Sequence, residues 1–534
     1  MMMMMMMSIN QFLSLKMMNS LLNQSIILIL SIYLIIEIKS KYKEYQNQKK
    51  AKSLNSKLAP LVTSSLPFGL SFLKHRLHSI KNGNPSDSLD HHHSFTKTQP
   101  IKVIRFKLFS SLEFIQTYSH LDVKYILSNN FQNWGKSNHF MEAFNPLLGE
   151  GVFSSDQRSL WSWHRSLSKP HFSKQRVSDV NACEEHVARL ITWIELQNMS
   201  DHPVDVQDLF SRLTLTIGSQ HLFGHCLDML NDLLLDRPIH EGTIDAAAFS
   251  KDFADAQTHC LKHVFMPSFI RRLIQRFTPP NQSIQRVLKA VDILIENSAK
   301  ANPNGKDIQE PENLLDHLRQ SDCSHDLLRH ELLNLLLAAR DTTSSLLTSC
   351  LYELSAHPSL WNQLRIESSQ LSQSHLISID QLRELKLLRA VINETLRLHP
   401  PVWANTRHAF EDDVLPSGIF VPAGTDCRYL IREFQRDPEV WGKDAEEFVP
   451  ERWLDGRQVL QSKDPFSFQP FSAGPRICLG QQFAYTEVSI TLIRLINKFS
   501  RVELVGKSSN RADFQEMPLV TLSVRGGLWV KFHP

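Results

Sequence analysis

The chain has 534 residues, 42% apolar and 21% charged, a globular composition rather than a disordered or fibrous one. Its 58 basic and 55 acidic residues leave a net charge of +3, which excludes the basic stripe of a nucleic-acid binder. Seven cysteines, an odd number in a long chain, exclude a secreted disulfide framework and fit a reducing compartment. Glycine is scarce at 18 residues and leucine abundant, so a mainly helical fold is favoured.

The run Met1 to Met7 marks an uncertain start, with Met17 and Met18 as further candidates. Leu21 to Ile38 is apolar and densest from Ile26 to Ile36, the short end of what a spanning helix needs. Lys39, Lys41, Lys43, Lys49, Lys50 and Lys52 follow against Glu44 alone, which places that side in the cytoplasm. No small-residue cleavage site follows the apolar run, so an anchor is favoured over a signal peptide. Asn393-Glu394-Thr395 is a glycosylation sequon that a lumenal body would expose to modification. The resulting division is an N-terminal segment, 1–38, with an anchor helix at 21–38. A basic linker and hinge follow at 39–60, then a single catalytic domain at 61–534. The stretch Ala59 to Phe68, with Pro60, Pro67 and Gly69, reads as the hinge between tether and body. His91, His92 and His93 read as a solvated loop, not a metal site. Polar breaks fall at Ala301 to Gly305 and Ser321 to His325.

The strongest helical signal runs from about Leu327 to Ala356 and is ended by His357-Pro358. At about 1.5 Å per residue it crosses a whole domain, roughly 45 Å. Leu332 to Ala339 is apolar nearly all round, which predicts burial. Arg340, Asp341, Thr342 and Thr343 then interrupt it, and polar groups in a buried helix are costly unless they serve a site.

Near the C-terminus stands Phe471-Ser472-Ala473-Gly474-Pro475-Arg476-Ile477-Cys478-Leu479-Gly480, followed by an amphipathic helical pattern from Gln481 to Phe499. Cys478 therefore falls at a helix N-terminus, a position that lowers a thiol pKa. Gly474 and Gly480 admit close approach of a flat partner, and Arg476 places a cation two residues away. A thiolate in such a loop suits axial ligation of haem iron, with Arg476 on a propionate.

These residues resemble the cytochrome P450 monooxygenases. The family pattern F-x-x-G-x-R-x-C-x-G stands at Phe471, Gly474, Arg476, Cys478 and Gly480. Glu394-Thr395-Leu396-Arg397 matches E-x-x-R, and Phe448 to Trp453, with Arg452, matches the meander motif. Ala338 to Thr343 matches the oxygen-activation motif, with Ala339 where glycine is usual and the groove slightly narrowed. Trp161 to Arg165 matches W-x-x-x-R. The resemblance implies a mainly α fold with small β-sheets and a long central helix over a buried haem b. Cys478 would be the iron ligand, with Arg476, Trp161, Arg165 and Arg407 at the propionates. Glu394, Arg397 and Arg452 would form a buried ionic network, and Thr342 and Asp341 a proton relay. The usual histidine near Gln435 is missing, which reads as a tolerated surface variation.

Four stretches further resemble the fungal n-alkane and fatty-acid hydroxylase branch: Pro146 to Phe153, Leu332 to Thr343, Asn405 to Ala409 and Leu415 to Gly418. They imply terminal or near-terminal hydroxylation of a long apolar chain with O2. Electrons would come from NADPH through NADPH-cytochrome P450 reductase, at the endoplasmic reticulum membrane with the catalytic domain in the cytoplasm. Phe140 to Phe153 would cover the haem, and Phe249 to Phe277 would roof the pocket. A sterol, terpenoid or xenobiotic hydroxylase, a haem-thiolate isomerase or dehydratase and a non-catalytic haem carrier are the other readings. Asp341-Thr342 argues against an isomerase, which needs no proton relay.

Overall fold

The computed structural model describes residues 24, 31, 34–62, 102–108, 112–156, 158, 160–173, 180–224, 229–230, 244–264, 266–301, 313–321, 323–371, 376–456, 464–510 and 514–534. Most of the expected anchor, part of the hinge, the histidine run and the break after Ala301 lie outside these residues. Among the described residues, no helix is long and apolar enough to cross a membrane.

The first helix, α1, covers 34–53 and contains much of what the lysine run predicts as linker. It docks through the one acid of that run. Glu44 accepts from Arg105 at 2.9 Å and from Lys107 at 2.8 Å, while Asn47 and Ala51 are buried. Beyond it, Lys57 and Leu61 make parallel bridges to Ile419 and Arg105, so the start of the expected hinge is part of the folded body.

Five strands form the larger sheet: β1 (Val103–Leu108), β2 (Leu112–Thr117), β3 (Trp134–Gly135), β4 (Ala404–Ala409) and β5 (Asp426–Leu430). Their order is β1-β2-β5-β4-β3, with β2 and β5 parallel and the other pairs antiparallel. Gly135 stands opposite His408, so the chain leaving β3 runs beside Arg407.

Among the described residues, three smaller sheets, of two, three and two strands, accompany the larger one, and helices make up most of the remaining body. Those around the site are α2 (Asn138–Leu148), α3 (Trp161–Ser168), α4 (Asn181–Met199) and α5 (Val206–Phe223). They are followed by α6 (Ala246–Val264), α7 (Ser268–Phe277) and α8 (Gln282–Ala301). The long helix α9 (His325–Ala356), α10 (Lys386–Leu398) and α11 (Gln481–Lys498) complete the set. The predicted long helix thus exists, two residues longer at its start. Ser324 caps it by accepting from Leu327 N–H. Its upper half packs in a core with α8 and α2, and its lower half in a core with α4, α10 and α11.

The expected narrowing at Ala339 meets a compensation. A Cβ placed on Gly218 of α5 would lie 2.9 Å from the Ala339 methyl, so a glycine on the neighbouring helix makes room for it.

A buried ionic cluster closes the end of α10. His399 contacts Glu353 at 2.8 Å and Glu516 at 2.6 Å, and Arg432 reaches Glu516 at 3.3 Å. Burial opposes a charge on His399, but the two glutamates overcome it and raise its pKa above the ordinary value. Burial likewise acts to raise Glu516, but His399, Arg432 and Arg436 pull it down to about 2. The stabilisation from His399 is full below the unfolded value of about 6.5 and is lost as pH rises through the higher folded value. The melting temperature of the wild type is therefore expected to fall more steeply above about pH 6.5 than that of His399→Gln. Parallel pH profiles in a melting series would refute this assignment.

Candidate active site

Glu394 and Arg397 lie three apart on α10 and so share a face. Arg397 grips Glu394 bidentately, Nε to Oε2 at 2.9 Å and Nη2 to Oε1 at 2.8 Å. Arg452 Nε reaches the same Oε1 at 2.8 Å, with Val449 N–H at 2.9 Å, and Trp453 Nε1 reaches Oε2 at 3.0 Å. Arg397 also donates to the carbonyls of Gln435, Ala445 and Glu447. Glu394 and Arg397 are 0% exposed and Arg452 1%. The three residues predicted as a network are therefore joined.

Gln435 belongs to this assembly, which corrects the surface reading. It is 0% exposed, donates to the carbonyls of Leu396 and Arg397, and accepts from Gln469 N–H at 2.8 Å. An amide there supplies donors and an acceptor together, and one missing histidine in a motif carries no signal of burial.

The cysteine loop hangs from this frame. Cys478 N–H donates to Phe471 O at 2.9 Å, and the Phe471 ring packs on Tyr485 of α11 at 5.2 Å. Gly474 has φ +64°, and a Cβ there would fall 2.0 Å from Leu127 O, so both backbone and space demand glycine. Gly480 has φ −84°, and its nearest neighbour is Phe172 at 3.6 Å, so the protein alone does not require glycine there. The expected lowering of the Cys478 thiol is not found. The thiol is exposed in the protein alone; desolvation by the neighbouring chain nevertheless raises its pKa, against the Gly480 N–H and the Arg165 charge. A metal-coordinated thiol would lose its proton outright.

The long helix carries a bare spot. From Glu331 to Leu354 every residue is buried except Ala338, Ala339 and Thr342, which lie on one side at i, i+1 and i+4. Thr342 Oγ1 donates to Ala338 O at 2.7 Å, which leaves its lone pairs as acceptors. Asp341 points elsewhere. Its Oδ1 accepts from Arg340 at 2.6 Å and its Oδ2 from Gln257 of α6 at 2.8 Å. Among the described residues no hydrogen bond joins Asp341 to Thr342. Adjacent helical residues point about 100° apart, a geometry that a motif match does not display.

Cations gather between the loop and the sheet. Arg476 lies over the Trp161 ring at 4.3 Å and donates to Ser155 O, and Arg165 donates to Ile477 O at 2.9 Å. Buried Arg407 donates to Asn405 Oδ1 and Thr406 O, but its Nε has no partner. Lys136, leaving β3 beside Arg407, joins them and was not singled out by the sequence motifs. Its ammonium lies over the Phe140 ring at 5.2 Å, and no carboxylate pairs with it among the described residues. Burial, then Arg407 and Arg476, push its pKa well down, and burial with Arg407 brings Arg476 to about 9. Such a cluster is costly until an anion neutralises it. The only sequence signal for Lys136 was a basic residue directly after an aromatic-glycine strand.

The sequence model of the family described as Cytochrome P450 matches residues 82–527. The chain belongs to that family. It is 35% identical over 425 residues to a cytochrome P450 monooxygenase, himC, of Aspergillus japonicus, covering 77% of this chain and 72% of that one. It is 32% identical to cytochrome P450 52A13 of Debaryomyces hansenii over 72% of this chain and 75% of that one. Cytochrome P450 52A3-B of Candida maltosa is 30% identical over 88% of this chain and 90% of the relative.

The cytochromes P450 are haem-thiolate monooxygenases that draw electrons from NADPH through a reductase. The residues present fit that cofactor: an accessible thiol, and four cations gathered beside it, among them buried Arg407, whose Nε has no partner among the described residues. Iron matches the thiol, and two propionates match the cations.

Arg397→Lys keeps the charge but cannot grip Glu394 bidentately while serving three carbonyls. A loss of about 3 to 5 kcal/mol in urea unfolding is expected, the range for breaking a buried pair. A loss within about 1 kcal/mol, the range for exposed pairs, would mean that the network is not integral to the fold.

Proposed function

We propose that this cytochrome P450 hydroxylates long-chain fatty acids or n-alkanes at or near the chain terminus. The observations that support the site assignment are the bare spot of Ala338, Ala339 and Thr342 on a helix buried around it from Glu331 to Leu354, and the cations Arg165, Arg407, Arg476 and Lys136 around the Cys478 loop. Haem, when bound, supplies oxygen activation at its iron. Cys478 would ligate the haem iron, its loop fixed through Phe471 and Gly474, with Gly480 opening the following helix. Arg476, Arg165, Arg407 and Lys136 hold the propionates, with Trp161 beneath the Arg476 guanidinium. Thr342 and Asp341 handle protons on the distal side, beside Ala339. Glu394, Arg397 and Arg452 keep the proximal frame in place.

The substrate reading rests on the four stretches that resemble the fungal alkane and fatty-acid branch, and it fits a lipid-facing surface. Leu34, Ile35, Ile38, Tyr42 and Tyr45 are exposed along one stripe of α1, about 100° wide. Phe269, Leu273 and Phe277 are exposed at i, i+4 and i+8 on α7, with Arg272 and Arg276 alongside. These faces support an anchor at 21–38, a catalytic body within 61–534, and residence at the cytoplasmic face of the endoplasmic reticulum membrane.

The test uses membranes carrying the full chain and an NADPH-dependent flavin reductase, supplied with a series of fatty acids and n-alkanes. Terminal or near-terminal hydroxylation that disappears with Cys478→Ala is expected. No product, in membranes that keep the carbon monoxide spectrum of a thiolate haem, would overturn the substrate class and turn attention to sterols, terpenoids and xenobiotics.

Lys136→Met is expected to speed haem transfer to apomyoglobin about tenfold, the worth of one desolvated charge pair at roughly 1.4 kcal/mol. An unchanged transfer rate would remove Lys136 from the propionate set. Phe269→Ser with Leu273→Ser and Phe277→Ser is expected to weaken vesicle binding of chains cut before residue 34, provided they fold. Equal binding by wild type and variant would remove α7 from the lipid face.

A further inference from the structure

Arg428 of β5 carries a charge with no anion among the described residues. It stands opposite Gln116 of β2 and Thr406 of β4, so the three side chains share one face of the larger sheet. Its guanidinium lies over the Trp403 ring at 4.8 Å. Asp426, two residues before it on the same face, is already committed, Oδ1 to His408 at 2.7 Å and Oδ2 to Ser137 at 2.5 Å. Burial brings the Arg428 pKa down to about 10, opposed by Tyr118. The side chain is half-buried rather than sealed, so a ligand can reach it. A charge so placed is costly until a carboxylate joins it. The haem propionates are not that partner. Arg407 stands opposite Cys427, one residue before Arg428, and therefore on the other face of the sheet.

A second donor adjoins the guanidinium. Gln116 donates to Tyr118 Oη at 2.5 Å, which leaves the phenol O–H to donate. The surroundings are apolar, with Ile104, Trp403, Leu430 and Leu522 packed beside Tyr118 in one cluster. Trp403 Nε1 donates to Leu519 O at 3.1 Å and Leu522 N–H to Pro401 O at 2.9 Å, so the turn at 519–521 is pinned next to Trp403. Val520 of that turn packs against the core that holds the upper half of the long helix. In the other direction Phe114, the neighbour of Gln116 on the same face, meets the His139 ring at 6.2 Å. His139 O accepts from Arg271 of α7, the helix that exposes Phe269, Leu273 and Phe277. The cation therefore stands between contacts that lead out to the exposed apolar face of α7 and contacts that lead in to the long helix.

We propose that Arg428 and the Tyr118 hydroxyl bind the carboxylate of a fatty-acid substrate, holding the acid end at the sheet while the apolar chain runs past Trp403 and Val520 toward Thr342. A guanidinium meets a carboxylate with two parallel N–H donors, and the phenol adds a third. An n-alkane answers neither, so this site selects the acid from the two substrate classes. It also sets the position of attack, because the end remote from the carboxylate is the one presented for oxidation. The assignment rests on the reading of the enzyme as a hydroxylase of long apolar chains and narrows it.

The test uses the full chain in membranes with a flavin reductase, probed with hexadecanoic acid, its methyl ester and hexadecane. The wild type is expected to bind the acid more tightly than the ester, read from the haem spectral shift; equal affinity overturns the proposal without any variant. Arg428→Met is expected to weaken binding of the acid about tenfold, the factor that one hydrogen bond to a charged group supplies. It should also spread hydroxylation of the acid inward from the chain end, and leave binding and turnover of hexadecane unchanged. Tyr118→Phe should weaken the acid about threefold, as for a hydrogen bond at the weaker end of the range, and Arg428→Lys should recover part of the loss. An unchanged affinity for the acid in Arg428→Met, or equal weakening of acid and hexadecane, would overturn the proposal and leave Arg428 a structural residue of the sheet. A wild type that hydroxylates hexadecane but not the acid overturns this assignment alone, whereas hydroxylation of neither overturns the broader reading with it.

Discussion

One carboxylate, Glu394, receives donors from Arg397, Arg452, Val449 and Trp453 without any exposure to water. Such a group is tolerable in the interior only if all its donors are present, because a buried charge missing a partner costs several kcal/mol. Its donors come from two places, α10 and the turn at Pro450–Trp453, and Arg397 reaches three further carbonyls. Helix and meander are therefore fixed to one another by a polar joint rather than by apolar area. Gln435 ties in Gln469, two residues before the cysteine loop. The position of Cys478 depends on this joint.

The distal wall follows a different rule. The long helix is held by packing against the cores on either side. Of its buried polar side chains, Glu331 meets His164 and Ser168 and Asn334 donates to Leu148 O on other elements, while Thr342, Ser344 and Thr348 donate to carbonyls of the helix itself. What remains unburied, Ala338, Ala339 and Thr342, is the surface on which chemistry can occur.

Much of this was legible because motifs are local. The long helix, the cysteine loop, the pair Glu394 and Arg397 and the helix after Cys478 each show within a few residues. Contacts at a distance did not show. Gln435 looked like a surface substitution until its side chain was seen inside. Lys136 joins the cations only because β3 pairs with β4, a register that no short motif encodes. Asp341 stands beside Thr342 in sequence but faces the other way, and its partner Gln257 lies 84 residues upstream. The lysine run promised a linker, but Glu44 and Lys50 pair with the body and Asn47 and Ala51 are buried, so it docks as a helix.

The separation of Glu394 from Arg452 by 58 residues carries a consequence for synthesis. Chains emerge N-terminus first, and domains fold as their parts become available. On the ribosome, α10 therefore appears with its acid and Arg397 but without Arg452, and the loop of Cys478 follows later still. Until then the joint is incomplete, and the growing chain has neither the frame nor the thiol with which to capture haem. Acquisition of the cofactor becomes an event at the end of translation. A nascent chain stalled before the meander would present a half-neutralised polar joint for quality control to detect.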